Sequence, residues 1–90
     1  MSNDLNEYRK VINKLDNEMI DIIKQRMKVS IKIGKYKKDN NIKVLNTGRE
    51  EEVIDNIIKY NNVDKDLCLE EEFIKELWTS LMNYSKKIQN

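Results

Sequence analysis

The sequence predicts an all-α protein of three helices, of which the first is very long. Apolar residues recur at intervals of three and four along most of the chain, which is the spacing of amphipathic helices. Pro is absent and there are 2 Gly, fewer turn residues than a strand-rich fold usually needs. Ninety residues are enough for one domain, so we interpret residues 1–90 as a single unit.

The first predicted helix runs from Leu5 to Lys38, where a run of poor helix formers follows. Asp4 is its predicted N-cap, with Glu7 as the capping-box partner. Gly34 costs this helix about 1 kcal/mol relative to alanine but does not end it. The apolar stripe consists of Leu5, Tyr8, Ile12, Leu15, Met19, Ile22, Ile23, Val29 and Ile33.

Two shorter helices are predicted after it. The second begins at Thr47, which forms a capping box with Glu50, and ends near residues 61–62. The third starts between Asp66 and Glu70, where acidic residues suit the positive end of a helix dipole. Its apolar stripe consists of Phe73, Ile74, Leu77, Trp78, Leu81 and Met82.

The length of the first helix predicts a homodimer. Its roughly 34 residues span about 50 Å, whereas a compact domain of this size is only about 30 Å across. The helix must therefore protrude, and its apolar stripe continues along the protruding part. A second copy of the chain is the simplest cover for that stripe.

Composition excludes several classes of function. The 17 basic and 16 acidic residues leave a net charge of +1, without the basic excess of a nucleic-acid-binding protein. The polar N-terminus is not followed by a long apolar run, so we expect a cytoplasmic protein without a signal peptide or membrane span. Cys68 is the single cysteine, and histidine, the commonest general base and metal ligand, is absent.

Polar residues interrupt the apolar faces of all three predicted helices. Arg26 and Lys37 fall on the first, Glu50 on the second, and Ser85 and Gln89 on the third. Each of these residues has a simple explanation when it is considered alone. Arg26 and Lys37 could extend to solvent, Glu50 could be a capping-box residue, and Ser85 and Gln89 could be solvated near a helix end. Cations on an inward face nevertheless need an anionic partner. Together, the set suits a small dianion whose reaction requires positioning and charge stabilisation, without a nucleophile or a titrating base.

An ordered set of residues along the chain carries a family resemblance. Its members are Arg9, Leu15-Asp16, Arg26, Gly34-Lys35-Tyr36-Lys37, Val44, Arg49-Glu50, Ser85 and Gln89. In order and spacing the set resembles the small all-helical chorismate mutases, over nearly the whole chain. The resemblance implies an intertwined homodimer of three-helix protomers. Such an enzyme rearranges chorismate to prephenate in the biosynthesis of phenylalanine and tyrosine, and needs neither a metal nor an organic cofactor.

The resemblance also implies roles for individual residues. Arg9 would reach into the partner's site, where Arg9 and Arg26 grip the substrate carboxylates. Lys37 and Gln89 would donate hydrogen bonds to the ether oxygen of the breaking bond. Because the reaction is a concerted [3,3] rearrangement, the protein has only to confine the reactive conformer and stabilise charge on that oxygen.

The remaining implied roles concern the ring hydroxyl and one carboxylate. Glu50 would accept a hydrogen bond from the ring hydroxyl, while Arg49 and Ser85 would assist at the carboxylate and hydroxyl end. Asn46 stands where many members of the family have aspartate, so a contact made by that carboxylate is not implied for this chain.

Two other functions remain open on the sequence. A lyase of the same fold could remove pyruvate from isochorismate in a similarly cationic pocket, although Glu50 favours the mutase by offering an acceptor for the ring hydroxyl. A non-catalytic dimeric helical module that binds protein or a small anion is the alternative outside enzymes.

Overall fold

Three α-helices follow one another in the order α1 (Asp4–Asp39), α2 (Thr47–Asn61) and α3 (Glu71–Gln89). This computed structural model describes residues 3–64 and 66–89. The predicted all-α fold with a long first helix is confirmed, and α3 packs against both α1 and α2. Within the described residues, none of the helices combines the length and apolar character required to cross a membrane.

The start of α1 differs from the prediction. Asn3 is the N-cap and makes no side-chain hydrogen bond to the helix, while Asp4 is already the first helical residue. The Glu7 backbone N–H donates to the Asn3 carbonyl, and the Glu7 side chain pairs with exposed Lys10. The predicted capping box of Asp4 and Glu7 is therefore wrong. Both carboxylates still lie in the first turn, where the helix dipole favours negative charge.

The end of α1 is a tight turn that folds the following loop back toward the helix. The Ile42 N–H donates to the Lys37 carbonyl at 2.8 Å, and the Asn41 N–H to the Lys38 carbonyl at 3.4 Å. This hydrogen-bond pattern is that of a Schellman motif, which requires a left-handed residue just after the helix. Asn41 supplies it with φ 55°, a conformation that asparagine tolerates better than most residues. The predicted helix end in this polar run is confirmed.

The start of α2 is also displaced from the prediction. Asn46 is the N-cap, and its side-chain oxygen accepts a hydrogen bond from the Arg49 N–H at 3.0 Å. Thr47 is the first helical residue, so the predicted Thr47–Glu50 capping box is wrong. Asparagine and threonine are both good N-caps, and here the earlier of the two adjacent candidates is used. Helix α3 begins at Glu71, one residue beyond the predicted range.

The molecule is elongated because α1 extends well beyond the other two helices. The radius of gyration is 16.9 Å and the principal extents are 62 × 25 × 17 Å, whereas a compact chain of this length has a radius near 12 Å. The expected protrusion is confirmed. The apolar residues exposed along it at intervals of three and four are Leu5, Tyr8, Ile12, Leu15, Met19 and Ile22.

Small residues allow α1 and α3 to approach closely. Ser30 and Gly34, one turn apart on α1, are buried, and Ser85 is buried on the facing side of α3. A Cβ added to Gly34 would lie 2.9 Å from the Cα and Cβ atoms of Gln89. Glycine is therefore required at position 34 for the C-terminal turn of α3 to lie against α1.

Candidate active site

One pocket of about 460 Å³ is formed by all three helices and the loop between α1 and α2. The residues that line it are Arg26, Val29, Ser30, Ile33, Lys37, Val44, Asn46, Arg49, Glu50, Val53, Met82, Ser85, Lys86 and Gln89. The fold thus brings together six of the site residues proposed from the sequence: Arg26, Lys37, Arg49, Glu50, Ser85 and Gln89.

The pocket is strongly cationic although the whole chain is nearly neutral. Its lining residues include four cations, Arg26, Lys37, Arg49 and Lys86, and one carboxylate, Glu50, a formal charge of +3 in a chain of net +1; Arg49 is in addition paired with Glu52 outside the lining. Cations gathered in a concave site focus the field and raise the local concentration of anions. Such a site favours a small anionic ligand.

The guanidinium of Arg26 is held by a hydrogen-bonded pair of serines. Its Nη1 donates to the Ser85 Oγ at 3.0 Å, and the Ser30 Oγ donates to the same oxygen at 3.1 Å. The Ser85 hydroxyl donates in turn to the Met27 Sδ at 3.4 Å. Three of these residues come from adjacent turns of α1, so the network ties that helix to α3 beside the pocket.

The ammonium group of Lys37 is held by the loop that follows α1. Its Nζ donates to the Val44 carbonyl at 2.9 Å, a contact made possible by the tight turn at the helix end. Among residues 3–64 and 66–89, neither Lys37 nor Arg26 forms an ion pair with a carboxylate. Neutral oxygens orient both cations, and further N–H donors of each are available to an anionic ligand.

The carboxylate of Glu50 is paired with Lys86, a residue that the sequence reasoning did not place in the site. The Lys86 Nζ lies 2.9 Å from the Glu50 Oε2, and both side chains are about 30% exposed. The pair joins α2 to α3 at the pocket. Lys86 lies four residues after Met82 and three before Gln89, so helical spacing could have placed it on the pocket face, although not identified its partner. Arg49 instead pairs with Glu52 on the exposed side of its own helix.

The amide of Gln89 lies at the end of α3 in the pocket wall. Its Oε1 is buried and has no hydrogen-bond partner among the described residues. A buried amide oxygen without a donor is unfavourable, so the hydrogen-bond capacity of the Gln89 side chain is incompletely used in this structure. Asn46, which also lines the pocket, uses its side-chain oxygen to cap α2.

Arg9 lies outside the pocket of its own chain. It is exposed in the protruding half of α1, 17 residues before Arg26. At 1.5 Å per residue the two Cα atoms are about 26 Å apart along the helix, too far for an arginine side chain to span.

Comparison with known proteins agrees with the all-helical fold. Residues 8–90 match the family model for chorismate mutase type II. The chain belongs to the chorismate mutase type II family. The resemblance found in the sequence is thereby confirmed, and family membership supports chorismate mutase activity, an isomerisation, in general terms. No curated protein matches the chain.

A solved structure of similar fold extends over the whole chain. It is a conserved hypothetical protein from Pyrococcus furiosus, 29% identical, with a TM-score of 0.77 and coverage of 100% of both chains. Its name states no activity, so the likeness supports the fold. The pocket of this type II family member provides fixed N–H donors, one paired carboxylate and one buried amide.

Proposed function

We propose that this chain is a chorismate mutase that rearranges chorismate to prephenate in the biosynthesis of phenylalanine and tyrosine. It would act in the cytoplasm as a homodimer, with residues 1–90 forming one chorismate mutase domain. The observation that carries the proposal is the pocket of charge +3 that contains Glu50, in a chain whose residues 8–90 match the family.

The proposed mechanism relies on fixed donors rather than on proton transfer. Arg26, together with Arg9 from a second copy of the chain, would bind the two carboxylates and hold chorismate in its compact reactive conformer. Lys37 and Gln89 would donate hydrogen bonds to the ether oxygen, which gains negative charge as its bond to carbon breaks. One preorganised donor of this kind typically lowers the barrier by about 2.7–4 kcal/mol.

Glu50 would accept a hydrogen bond from the ring hydroxyl of the substrate. Its Oε2 is paired with Lys86 at 2.9 Å, and its other oxygen, Oε1, would accept the hydrogen bond from the substrate. Ser85 and Arg49 would assist at the carboxylate and hydroxyl end.

The proposed dimer accounts for the exposed apolar stripe and for the position of Arg9 together. Pairing two α1 helices antiparallel about a two-fold axis, with Arg9 opposite Arg26, places the axis beside Asn17 and Glu18. Leu5 of one copy then lies opposite Ser30 of the other. In this register the stripe would be covered from its first residue to the edge of the pocket, as expected for an intertwined dimer whose sites are shared.

The proposal is tested by incubating purified protein with chorismate and following the loss of chorismate absorbance and the appearance of prephenate. Isochorismate is assayed in parallel. Conversion of chorismate supports the mutase, whereas release of pyruvate from isochorismate alone would show a lyase. A folded dimer inactive on both substrates would favour a non-catalytic binding module and contradict the proposal.

A matched pair of lysine variants tests the chemistry of the pocket. Lys37→Met removes a proposed donor to the ether oxygen and should lower kcat by about 100-fold to 1,000-fold. Lys38→Met, at the exposed neighbouring position, should leave kcat within about twofold of the parent because surface changes away from the site are nearly neutral. Equal kcat values for the two variants would remove Lys37 from the mechanism.

A further inference from the structure

Ser30 and Ser85 form a buried pair of hydroxyl groups at the pocket wall. Each residue is 6% exposed, and within the described residues they are the polar members of the buried set. Their oxygens are 3.1 Å apart although the residues are 55 positions apart in the chain. Neither helix needs a hydroxyl here for its own hydrogen bonds, so the pair requires a reason in the packing or in the site.

The hydrogen-bond capacity of the Ser85 hydroxyl is completely used. A hydroxyl has one proton to donate and two lone pairs to accept with. Arg26 can only donate, so its Nη1 takes one lone pair at 3.0 Å, and the Ser30 hydroxyl takes the other. The Ser85 proton points to the Met27 sulfur, which is a weak acceptor.

This arrangement fixes what Ser85 can offer to a ligand. With both lone pairs occupied, the hydroxyl can act toward the pocket only as a donor. The Ser85 hydroxyl donates to the Met27 sulfur, the weakest acceptor of the network. An incoming carboxylate can therefore replace the sulfur as the acceptor of this hydrogen bond. Arg26 and Ser30 continue to donate their hydrogen bonds to the Ser85 oxygen during this exchange.

We propose that Ser30 is a positioning residue for the anion-binding end of the pocket. By occupying the second lone pair of Ser85, it orients the Ser85 hydroxyl as a donor and holds that oxygen where Arg26 binds to it. The inference rests on the proposed function in one respect: the anion is identified there as a carboxylate of chorismate. Ser30 acts through Ser85 and Arg26 and is not itself assigned a substrate contact.

The test compares Ser30→Thr with Ser30→Val, because these variants have nearly the same shape and differ in the hydroxyl. KM and kcat for chorismate are measured for both, together with the free energy of unfolding. The Ser30→Val variant should have a KM about threefold to tenfold above that of Ser30→Thr, the effect of one buried hydrogen bond on binding. Its kcat should be similar, since Lys37 and Gln89 are unaffected.

A second measurement does not depend on activity. Rotation of the Arg26 guanidinium is followed by nitrogen-15 NMR, with the signal assigned by its loss in Arg26→Lys. Rotation should be slow in the parent and in Ser30→Thr and faster in Ser30→Val, because a guanidinium bound to a fixed oxygen is restrained. Ser30→Ala replaces Ser30→Val if the branched residues prevent folding, with the parent as its reference.

The two measurements separate failure of the inference from failure of the proposed function. A parent protein inactive on chorismate, with the expected Arg26 rotation, would contradict the proposed function and leave the positioning role supported. Equal KM values and equal Arg26 rotation in the Thr and Val variants would overturn the positioning role, whatever the activity. A difference in unfolding free energy alone would show a structural hydroxyl and would also overturn it.

Discussion

At the scale of single residues, the polar groups of the pocket are held by neutral or paired neighbours before any ligand arrives. Arg26 is bound to a serine hydroxyl, Lys37 to a backbone carbonyl and Glu50 to a lysine. Such preorganisation is what makes fixed donors effective, because little reorganisation is needed during the reaction. The buried Oε1 of Gln89 is the exception, since it has no partner among the described residues.

Gln89→Glu is the sharpest residue-level prediction. The amide of Gln89 donates at any ordinary pH, whereas a glutamate donates only when protonated, and its reference pKa is about 4.3. The parent should therefore show weak pH dependence near neutrality. The variant should be severely impaired at pH 7 and should recover activity as the pH falls. The measurement is kcat/KM against pH for both proteins, with circular dichroism at each pH.

Gln89→Met is the control for this profile. It preserves the length of the side chain but has no titrating group and no strong donor, so it should be impaired at every pH. Recovery at low pH in Gln89→Glu alone would identify the restored donor as the cause. A Gln89→Glu variant that matches the parent throughout would show that another group serves the ether oxygen beside Lys37.

Helical spacing identified the inward faces, and this was enough to bring Arg26, Lys37 and Glu50 into one proposed site. It could not show which neighbouring helix a residue would meet. Lys86 pairs with Glu50 only because α2 and α3 pack side by side, which no spacing within α3 reveals. The same holds for Ser30, whose partner Ser85 is 55 residues away.

At the scale of helices, the close approach of α1 and α3 depends on the missing side chain of Gly34. Gly34→Ala would gain about 1 kcal/mol of helix propensity. Its methyl group, however, would meet the Gln89 backbone at 2.9 Å, and overpacking of this kind typically costs about 1–3 kcal/mol. We expect a lower melting temperature and a loss of kcat/KM of about tenfold or more, because Gln89 is pushed out of position.

Gly48→Ala is the matched control within the chain. A Cβ at position 48 would lie 3.5 Å from the Asn46 Oδ1, an ordinary contact, and Gly48 does not have a positive φ. This variant should be as stable as the parent or slightly more stable, since alanine is the better helix former. Equal melting temperatures for the two alanine variants would contradict the account of the α1–α3 contact.

The extents of the helices were predictable because apolar periodicity is maintained along each of them. Their starts were not, since a cap is decided by a single side chain among adjacent candidates. Asn46 precedes Thr47, both are good N-caps, and only the three-dimensional structure shows that the Asn46 oxygen reaches the Arg49 N–H. At the start of α1, Asp4 was expected to be the N-cap, but it is the first residue of the helix.

At the scale of the whole molecule, the shape of the chain favours association. The protruding half of α1 exposes a continuous apolar stripe, which a soluble monomer rarely does. If two copies cover this stripe, folding is linked to association and the midpoint of unfolding must rise with protein concentration. Denaturation followed over a hundredfold range of concentration measures this, alongside sedimentation. A fully active monomer with a concentration-independent midpoint would contradict the dimer.

The most direct test of a shared chorismate mutase site is complementation between two inactive variants. Arg9→Ala and Arg26→Ala homodimers should each be nearly inactive on chorismate, because every site lacks one arginine. Unfolded together and refolded in equal amounts, half of the dimers should be mixed, with one site that lacks both arginines and one intact site. Activity should then return to about a quarter of the parental value. No recovery, with mixed dimers verified by mass spectrometry, would contradict a site built from two chains.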